Sequence, residues 1–364
     1  MLKKVKKYLS IIGFVMLIPA AWIYGLAIWF INFSYIYGIR RIYRYNKIIP
    51  IISVGNLRVG GTGKTPCIEY LLHLLEENFH TVVISRGYKR KVHGYRIASI
   101  VDNAQTIGDE PYQLYKKFAT KDSKIQVVVS EDRAKAVQKL LSDYPNTNII
   151  LLDDGFQHRR LDRKLNILLS SFHEPFFEDF LLPAGRLREH RQAATRADVI
   201  IVTKCPPLLT HGRKESIREH IAKYCTKSKA PAIFFTSIRY GTPKSLYASY
   251  IGDFAEHIVL VTGIADPGPL VQYIGKTYQL IHHIAFKDHH SFTQKDLKKI
   301  VSIFNQVTYK KKCILTTEKD SMRLMESSLA FIVRKIPIFF LPISMEFIEG
   351  EEAFTQLIWN SIKR

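Results

Sequence analysis

Between residues 53 and 66 the chain reads Ser-Val-Gly-Asn-Leu-Arg-Val-Gly-Gly-Thr-Gly-Lys-Thr-Pro. A β-branched run enters a glycine-rich turn, and Gly63-Lys64-Thr65 then opens an amphipathic stretch. Backbone N–H groups in such a turn surround phosphates, and the dipole of the helix behind them favours negative charge. Gly60, Gly61, Thr62 and Gly63 would form the cradle, Lys64 would reach the terminal phosphates, and Thr65 would offer its hydroxyl to Mg2+. The expected cofactor is therefore a magnesium-bound nucleotide. Arg58 stands where the strict pattern has its first glycine. Pro66 falls in the first helical turn, where no intrahelical N–H bond is lost.

A second run, Asn-Ile-Ile-Leu-Leu-Asp-Asp-Gly-Phe-Gln-His at 148–158, ends an apolar strand in two carboxylates. Asp153 and Asp154 stand where a P-loop protein brings acid to the metal. The same Asp-Asp-Gly also suits a plain turn after a strand. Gln157 and His158 follow, placed either to orient a phosphate or acceptor or to serve as ordinary loop residues.

These residues need a scaffold, and the chain after residue 47 alternates short β-branched runs with amphipathic stretches, the rhythm of an α/β protein with a largely parallel sheet. Strands are expected at 48–54, 81–85, 125–129, 148–152, 166–169 and 198–203, then at 257–262, 312–316 and 336–341. All are short and apolar, as in strands covered on both faces. A helix is expected at 67–77, where Ile68, Leu71, Leu72 and Leu75 mark one face. The rhythm loosens near residue 230. The expected fold is thus a P-loop NTPase-like, mostly parallel α/β domain at 48–230 with a second, smaller α/β domain at 231–364, preceded by a membrane-associated helix within 1–47.

That helix is read from composition. Residues 9–33 contain no charged side chain, long enough to cross a bilayer core of about 30 Å. Trp22, Tyr24, Trp29, Tyr35 and Tyr37 add interfacial aromatics. Lys3, Lys4, Lys6 and Lys7 precede the run and Arg40, Arg41, Arg44 and Lys47 follow it, so charge gives no orientation. A spanning helix and a bent helix lying in one leaflet both fit. The chain of 364 residues is 47% hydrophobic and 23% charged, which excludes collagen-like and disordered classes. Its net charge of +21 implies an anionic surface or substrate. The first acidic residue is Glu69, so the basic excess gathers beside the apolar run. Cys67, Cys205, Cys225 and Cys313 form no Cys-x-x-Cys pair, as in a reducing compartment.

Further motifs follow in order: SRGYKR at 85–90, GDEP at 108–111, SEDR at 130–133, PAGRLRE at 183–189, VTGIADP at 261–267, FKDHHSF at 286–292 and TEKDSMRL at 317–324. With the two runs above they closely resemble the tetraacyldisaccharide 4'-kinases, the lipid A 4'-kinases of Gram-negative bacteria. The resemblance covers nearly the whole chain.

It implies transfer of the γ-phosphoryl group of ATP to the 4'-hydroxyl of a tetraacylated glucosamine disaccharide 1-phosphate, at the cytoplasmic face of the bacterial inner membrane. It further implies ATP and Mg2+ as cofactors, and a lipid substrate and the bilayer as partners. ATP and acceptor would meet between the two domains. The acid of the GDE motif would pair with a histidine of the second domain, here Asp109 with His289 rather than His290, and Lys64 would complete the catalytic set. Asp109 also fits a helix N-terminal residue before Pro111. Arg133 and Arg188 would hold phosphate oxygens, and Glu189 would join Thr65, Asp153 and Asp154 at the metal. His190 stands where the family commonly has proline. The resemblance assigns no role to TEKDSMRL.

Two other readings fit parts of the chain. The Gly-Gly-Thr-Gly-Lys-Thr loop also suits a P-loop ATPase or GTPase that drives insertion or maturation of a partner protein. The net charge alone would suit a membrane scaffold or a nucleic-acid binder, but no recognised nucleic-acid motif is present. Neither nucleic acid nor an obligate protein partner is expected.

Overall fold

The computed structural model describes residues 2–45, 48–119, 123–225, 230–247, 252–326, 329–334 and 336–363. Side chains are described from Val15 onward, Ala330 apart, so Lys47 and the side chains of Lys3, Lys4, Lys6 and Lys7 lie outside the described set. The chain forms two compact units, the first from Met1–Arg86, Asp132–Ile238 and Met345–Arg364, the second from Gly87–Glu131 and Arg239–Ser344. These are not the linear segments that the sequence rhythm suggests. The break near 230 falls at 238, but residues 87–131 join the second unit and the C-terminal twenty residues return to the first.

In the first unit the strands run in the spatial order Ile343–Phe347, Ala232–Tyr240, Val199–Thr203, Leu165–Ser171, Ile51–Asn56, Ile149–Asp153, Thr81–Ser85. From the second of these to the last, neighbours are parallel. Ile51–Asn56 is the sheet centre, and every one of its residues is buried. Leaving Ile51, Ile52 or Val54 in water instead would cost about 1.5–3 kcal/mol each. Its register sets Val54 beside Asp153, so the carboxylate emerges at the same sheet edge as the glycine-rich loop. The helix that follows is Lys64–Leu75, starting three residues before the apolar periodicity.

The N-terminal helix Leu2–Ile36 belongs to this unit. Ala21, Gly25 and Tyr35 are buried on one stripe, with Tyr24, Ile28 and Asn32 half-buried along it. Trp22, Ile23, Leu26, Trp29 and Phe30 are exposed on the other faces. A Cβ on Gly25 would stand 2.9 Å from the Leu181 side chain and 3.1 Å from the His190 ring. Glycine there lets the helix approach the 181–190 segment closely, and His190, in the place of the family's proline, supplies part of that contact.

The second unit holds a five-stranded sheet in the order Gln279–Ala285, His257–Thr262, Lys312–Thr317, Ile338–Leu341, Lys244–Ser245, the first four parallel and the last antiparallel. The strand ends carry Gly263, the 286–290 turn and helix Glu318–Leu324 to one edge. Thr317 caps that helix by accepting from the Asp320 N–H, and Thr293 with Asp296 forms a capping box at Gln294–Gln306. Gln279–Ala285 escapes the sequence rhythm because its residues are largely exposed and two are histidine.

Candidate active site

The first unit gathers the nucleotide-type residues. Gly63 has φ +86, a left-handed conformation that turns the chain from loop into helix and that a side chain resists. Thr62 is buried: its hydroxyl accepts from Asn56 Nδ2 at 2.7 Å and its carbonyl accepts from the Thr203 hydroxyl at 2.9 Å. Arg58 is no phosphate ligand here, since its guanidinium is paired with Glu174 and Asp179. Around it the loop pairs with the PAGRLRE segment, Val59 N–H donating to Arg186 O and Arg188 N–H to Leu57 O.

That pairing delivers Arg188 to the acidic turn. Its Nη1 donates to both Asp154 oxygens, at 2.9 and 2.8 Å, and lies 3.4 Å from Gln157 Oε1. Lys64 Nζ is 3.8 Å from Asp154 Oδ1, and Arg133 Nη1 donates to the Asp154 carbonyl at 2.9 Å. Burial alone would raise the Asp154 pKa, but Lys64 and Arg188 outweigh it and hold the carboxyl below its ordinary value. Asp154 adopts φ +51, which aspartate tolerates better than most residues. Asp153 is buried and accepts from the Ser85 hydroxyl at 2.9 Å. Gln157 Nε2 donates to Asn56 O. His158 is driven down to about 3 by burial and by the arginines near it, so its ring is neutral.

Glu189 is placed differently from its neighbours. Both its oxygens accept from Arg196, at 2.8 and 2.9 Å, and Asn32 Nδ2 donates to one of them at 3.2 Å. The hard oxygens of Thr65, Asp153 and Asp154 suit Mg2+, which is commonly held by one or two carboxylates plus phosphate oxygens. Among the described residues no group of three or more His, Cys, Asp or Glu converges as a self-sufficient metal site.

The second unit gathers an acid–histidine site. Asp109 is buried at the start of helix Asp109–Phe118, and its Oδ2 lies 2.9 Å from His289 Nδ1. His289 sits at φ +57, its N–H donating to Gly263 O. Arg323 Nε is 3.6 Å from the same Asp109 oxygen, and Lys319 Nζ lies 3.2 Å from His289 Nε2 and 2.9 Å from Glu110 Oε1. Burial would raise the Asp109 pKa; the His289 hydrogen bond and the charges of Lys319 and Arg323 overcome this and hold it well below the ordinary carboxylate range. Burial opposes the charge on Lys319, yet Glu110, Asp109 and Asp288 raise its pKa, so it is an ammonium. An ammonium only donates, so Nε2 must be the lone-pair nitrogen and Nδ1 the N–H that Asp109 accepts. His290 points elsewhere: its Nε2 bonds Asp296 at 3.0 Å and its ring stacks on Phe286.

Lys319 and Arg323 are the residues that sequence reasoning left without a role. Their i,i+4 spacing on one short helix places both on a single face. Arg323 is further fixed by Asp320 and by the His290 carbonyl.

A family model described as LpxK, tetraacyldisaccharide-1-P 4'-kinase, matches residues 14–363. The chain belongs to this family. A tetraacyldisaccharide 4'-kinase of Phocaeicola vulgatus is 38% identical over 357 residues, covering 96% of this chain and 95% of that one. One from Flavobacterium johnsoniae is 39% identical over 352 residues, covering 95% and 96%. The crystal structure of LpxK from Aquifex aeolicus in complex with ATP superimposes with a TM-score of 0.72 at 28% identity, covering 96% of this chain and 99% of that chain. The protein is an ATP-dependent kinase of lipid A biosynthesis.

Proposed function

We propose that the kinase transfers the γ-phosphoryl group of ATP to the 4'-hydroxyl of a tetraacyl disaccharide 1-phosphate, and that the two groups of side chains divide this reaction. The N–H groups of the 60–63 loop, Lys64, Arg133 and Arg188 hold the nucleotide phosphates. Thr65, Asp153 and Asp154 hold Mg2+, which when bound neutralises charge on the phosphate oxygens. Glu189, with both oxygens on Arg196, fixes the PAGRLRE segment from which Arg188 projects.

Asp109 and His289 are the proton-removing pair. Asp109 holds Nδ1–H, leaving the Nε2 lone pair for the acceptor hydroxyl, and its charge stabilises the imidazolium that forms. The hydroxyl takes over the Nε2 position from Lys319, whose ammonium stays on Glu110. The observation that carries the kinase reading over a partner-driving ATPase is this pair at 2.9 Å, since nucleotide hydrolysis for motion requires no base for a sugar hydroxyl.

The helix Val15–Ile36, with a mean hydropathy of 1.7, attaches the kinase to the inner membrane from the cytoplasmic side. Residues 21–35 lie along the protein on one stripe and expose apolar side chains on the rest, the pattern of a helix lying in one leaflet. A cysteine placed near residue 10 would then be labelled from the cytoplasmic side of oriented vesicles; labelling from the opposite side only would establish a spanning helix.

Transfer of labelled γ-phosphate to the tetraacyl disaccharide 1-phosphate in micelles tests the reaction. Wild type yields labelled lipid, and Lys64→Ala and Asp109→Ala do not. ATP hydrolysis that needs Lys64 but gives no labelled lipid would transfer support to the partner-driving ATPase.

A further inference from the structure

The N-terminal helix touches the phosphate-holding segment directly. Arg188 is clamped from two sides: its N–H donates to Leu57 O at the loop entrance, and its carbonyl accepts from the Tyr24 hydroxyl at 2.9 Å. One residue on, Glu189 accepts from Asn32 Nδ2, and Arg159 Nη1 donates to both the side-chain and backbone oxygens of Asn32, at 2.9 and 3.1 Å. Between them Gly25 brings the helix against Leu181 and His190. Tyr24 and Asn32 are polar residues in a helix otherwise built to face lipid, and both aim at the two residues that follow Leu187. On its other faces the same helix turns Trp22, Leu26 and Trp29 outward.

We propose that Tyr24 and Asn32 are positioning residues through which attachment to the bilayer sets the nucleotide site. The chain of contacts runs from outward apolar side chains, through Tyr24 and Asn32, to the backbone of Arg188 and the carboxylate of Glu189, and so to the Arg188 guanidinium on Asp154. A bilayer that holds the helix in place holds Arg188 in its phosphate-binding position; with the helix released, the Arg188 carbonyl loses its Tyr24 donor and Glu189 its Asn32 donor, and nucleotide binding weakens. The kinase would then bind ATP well only where its lipid acceptor is. This rests on the reading of Lys64 and Arg188 as the nucleotide site.

The test is the dissociation constant of a non-hydrolysable magnesium-bound ATP analogue for the full-length kinase on phosphatidylethanolamine and phosphatidylglycerol vesicles, with no acceptor lipid. Tyr24→Phe removes one oxygen and keeps the ring; it should raise the constant about fivefold, the scale of one net hydrogen bond, with an unchanged melting point. The outward pair Trp22→Ser and Leu26→Ser makes no contact with the nucleotide residues, yet should weaken nucleotide binding to a similar degree. Combined with Tyr24→Phe it should add little, because both act through one route. An unchanged constant in Tyr24→Phe, an unchanged constant in a detached outward pair, or factors that multiply in the combined variant would each overturn the proposal. Nucleotide binding by wild type that Lys64→Ala leaves intact would instead count against the nucleotide-site reading itself.

Discussion

Replacing Asp109 by asparagine removes a charge without removing volume, and the surroundings of Asp109 show why the amide cannot substitute. Oδ1 accepts the Glu110 N–H at 3.1 Å and Oδ2 accepts His289 Nδ1–H at 2.9 Å, with Arg323 Nε 3.6 Å away. Both positions need an acceptor, and an amide has one. If its NH2 faces Glu110, two donors meet; if it faces His289, the ring is driven to the tautomer with hydrogen on Nε2. Nε2 then opposes the Lys319 ammonium and has no lone pair for the acceptor. A misplaced tautomer of this kind in a serine protease triad lowers kcat by about 10⁴, and general base catalysis is typically worth about 10²–10⁴. In Asp109→Asn we expect kcat to fall by about 10²–10⁴, roughly 3–5.5 kcal/mol at the transition state, while KM for ATP stays within about threefold because the residue lies outside the phosphate cradle. Initial rates of labelled phosphate transfer measure both. A kcat within tenfold of wild type would refute the assignment of the pair. The same residue leaves a mark on stability: its folded pKa lies below the unfolded value of about 3.9, so its stabilisation is present above that value and lost as pH falls towards the folded one. Urea midpoints between about pH 5 and 2.5 should therefore fall more steeply in wild type than in Asp109→Asn.

The remaining predictions concern the neighbours. Lys319→Met removes a cation 3.2 Å from His289 Nε2 and 2.9 Å from Glu110; even at the dielectric constant of water such a charge is worth about 1 kcal/mol, so kcat for phosphate transfer should fall about fivefold or more, with Lys319→Arg retaining most of the rate. An unchanged kcat in Lys319→Met would show that the ammonium takes no part in the reaction. Gly63→Ala imposes a side chain on φ +86, and calorimetry should find it about 1–2 kcal/mol less stable with a raised KM for ATP; Gly61→Ala, with no positive φ and only Lys204 Nζ within 4 Å, should melt with wild type. Burial pushes the thiols of Cys67 and Cys205 to about 12 and of Cys313 to about 11, so at pH 7.5 a disulfide reagent should modify at most Cys225 quickly in the folded kinase and all four after denaturation.

The meeting of the glycine-rich loop with the acidic turn was legible because its geometry is local. The strand, the glycine turn and Lys64-Thr65 are contiguous, so their geometry follows from backbone preferences within one supersecondary unit. Asp153 and Asp154 at the end of a buried strand needed only the register with Val54 to reach the same edge. Pairing of Asp109 with His289 came from resemblance, since no periodicity relates residues 180 positions apart. Choosing His289 over His290 was beyond any spacing rule: adjacent side chains diverge according to backbone angles, here φ +57 at His289 and the Asp296 capping box that takes His290.

Tertiary structure alone decided the rest. Lys319 and Arg323 lie in the TEKDSMRL run, to which sequence reasoning assigned no role; helix Glu318–Leu324 sets them on one face, and only parallel strand pairing carries that helix to Asp109. The insertion at 87–131 falls in the second unit, a grouping made by packing and not by order along the chain. Hydropathy identified an apolar helix by composition alone. That Tyr24 and Asn32 reach Arg188 and Glu189, more than 150 residues away, depends on which stripe of the helix docks, and that is set by the close approach at Gly25.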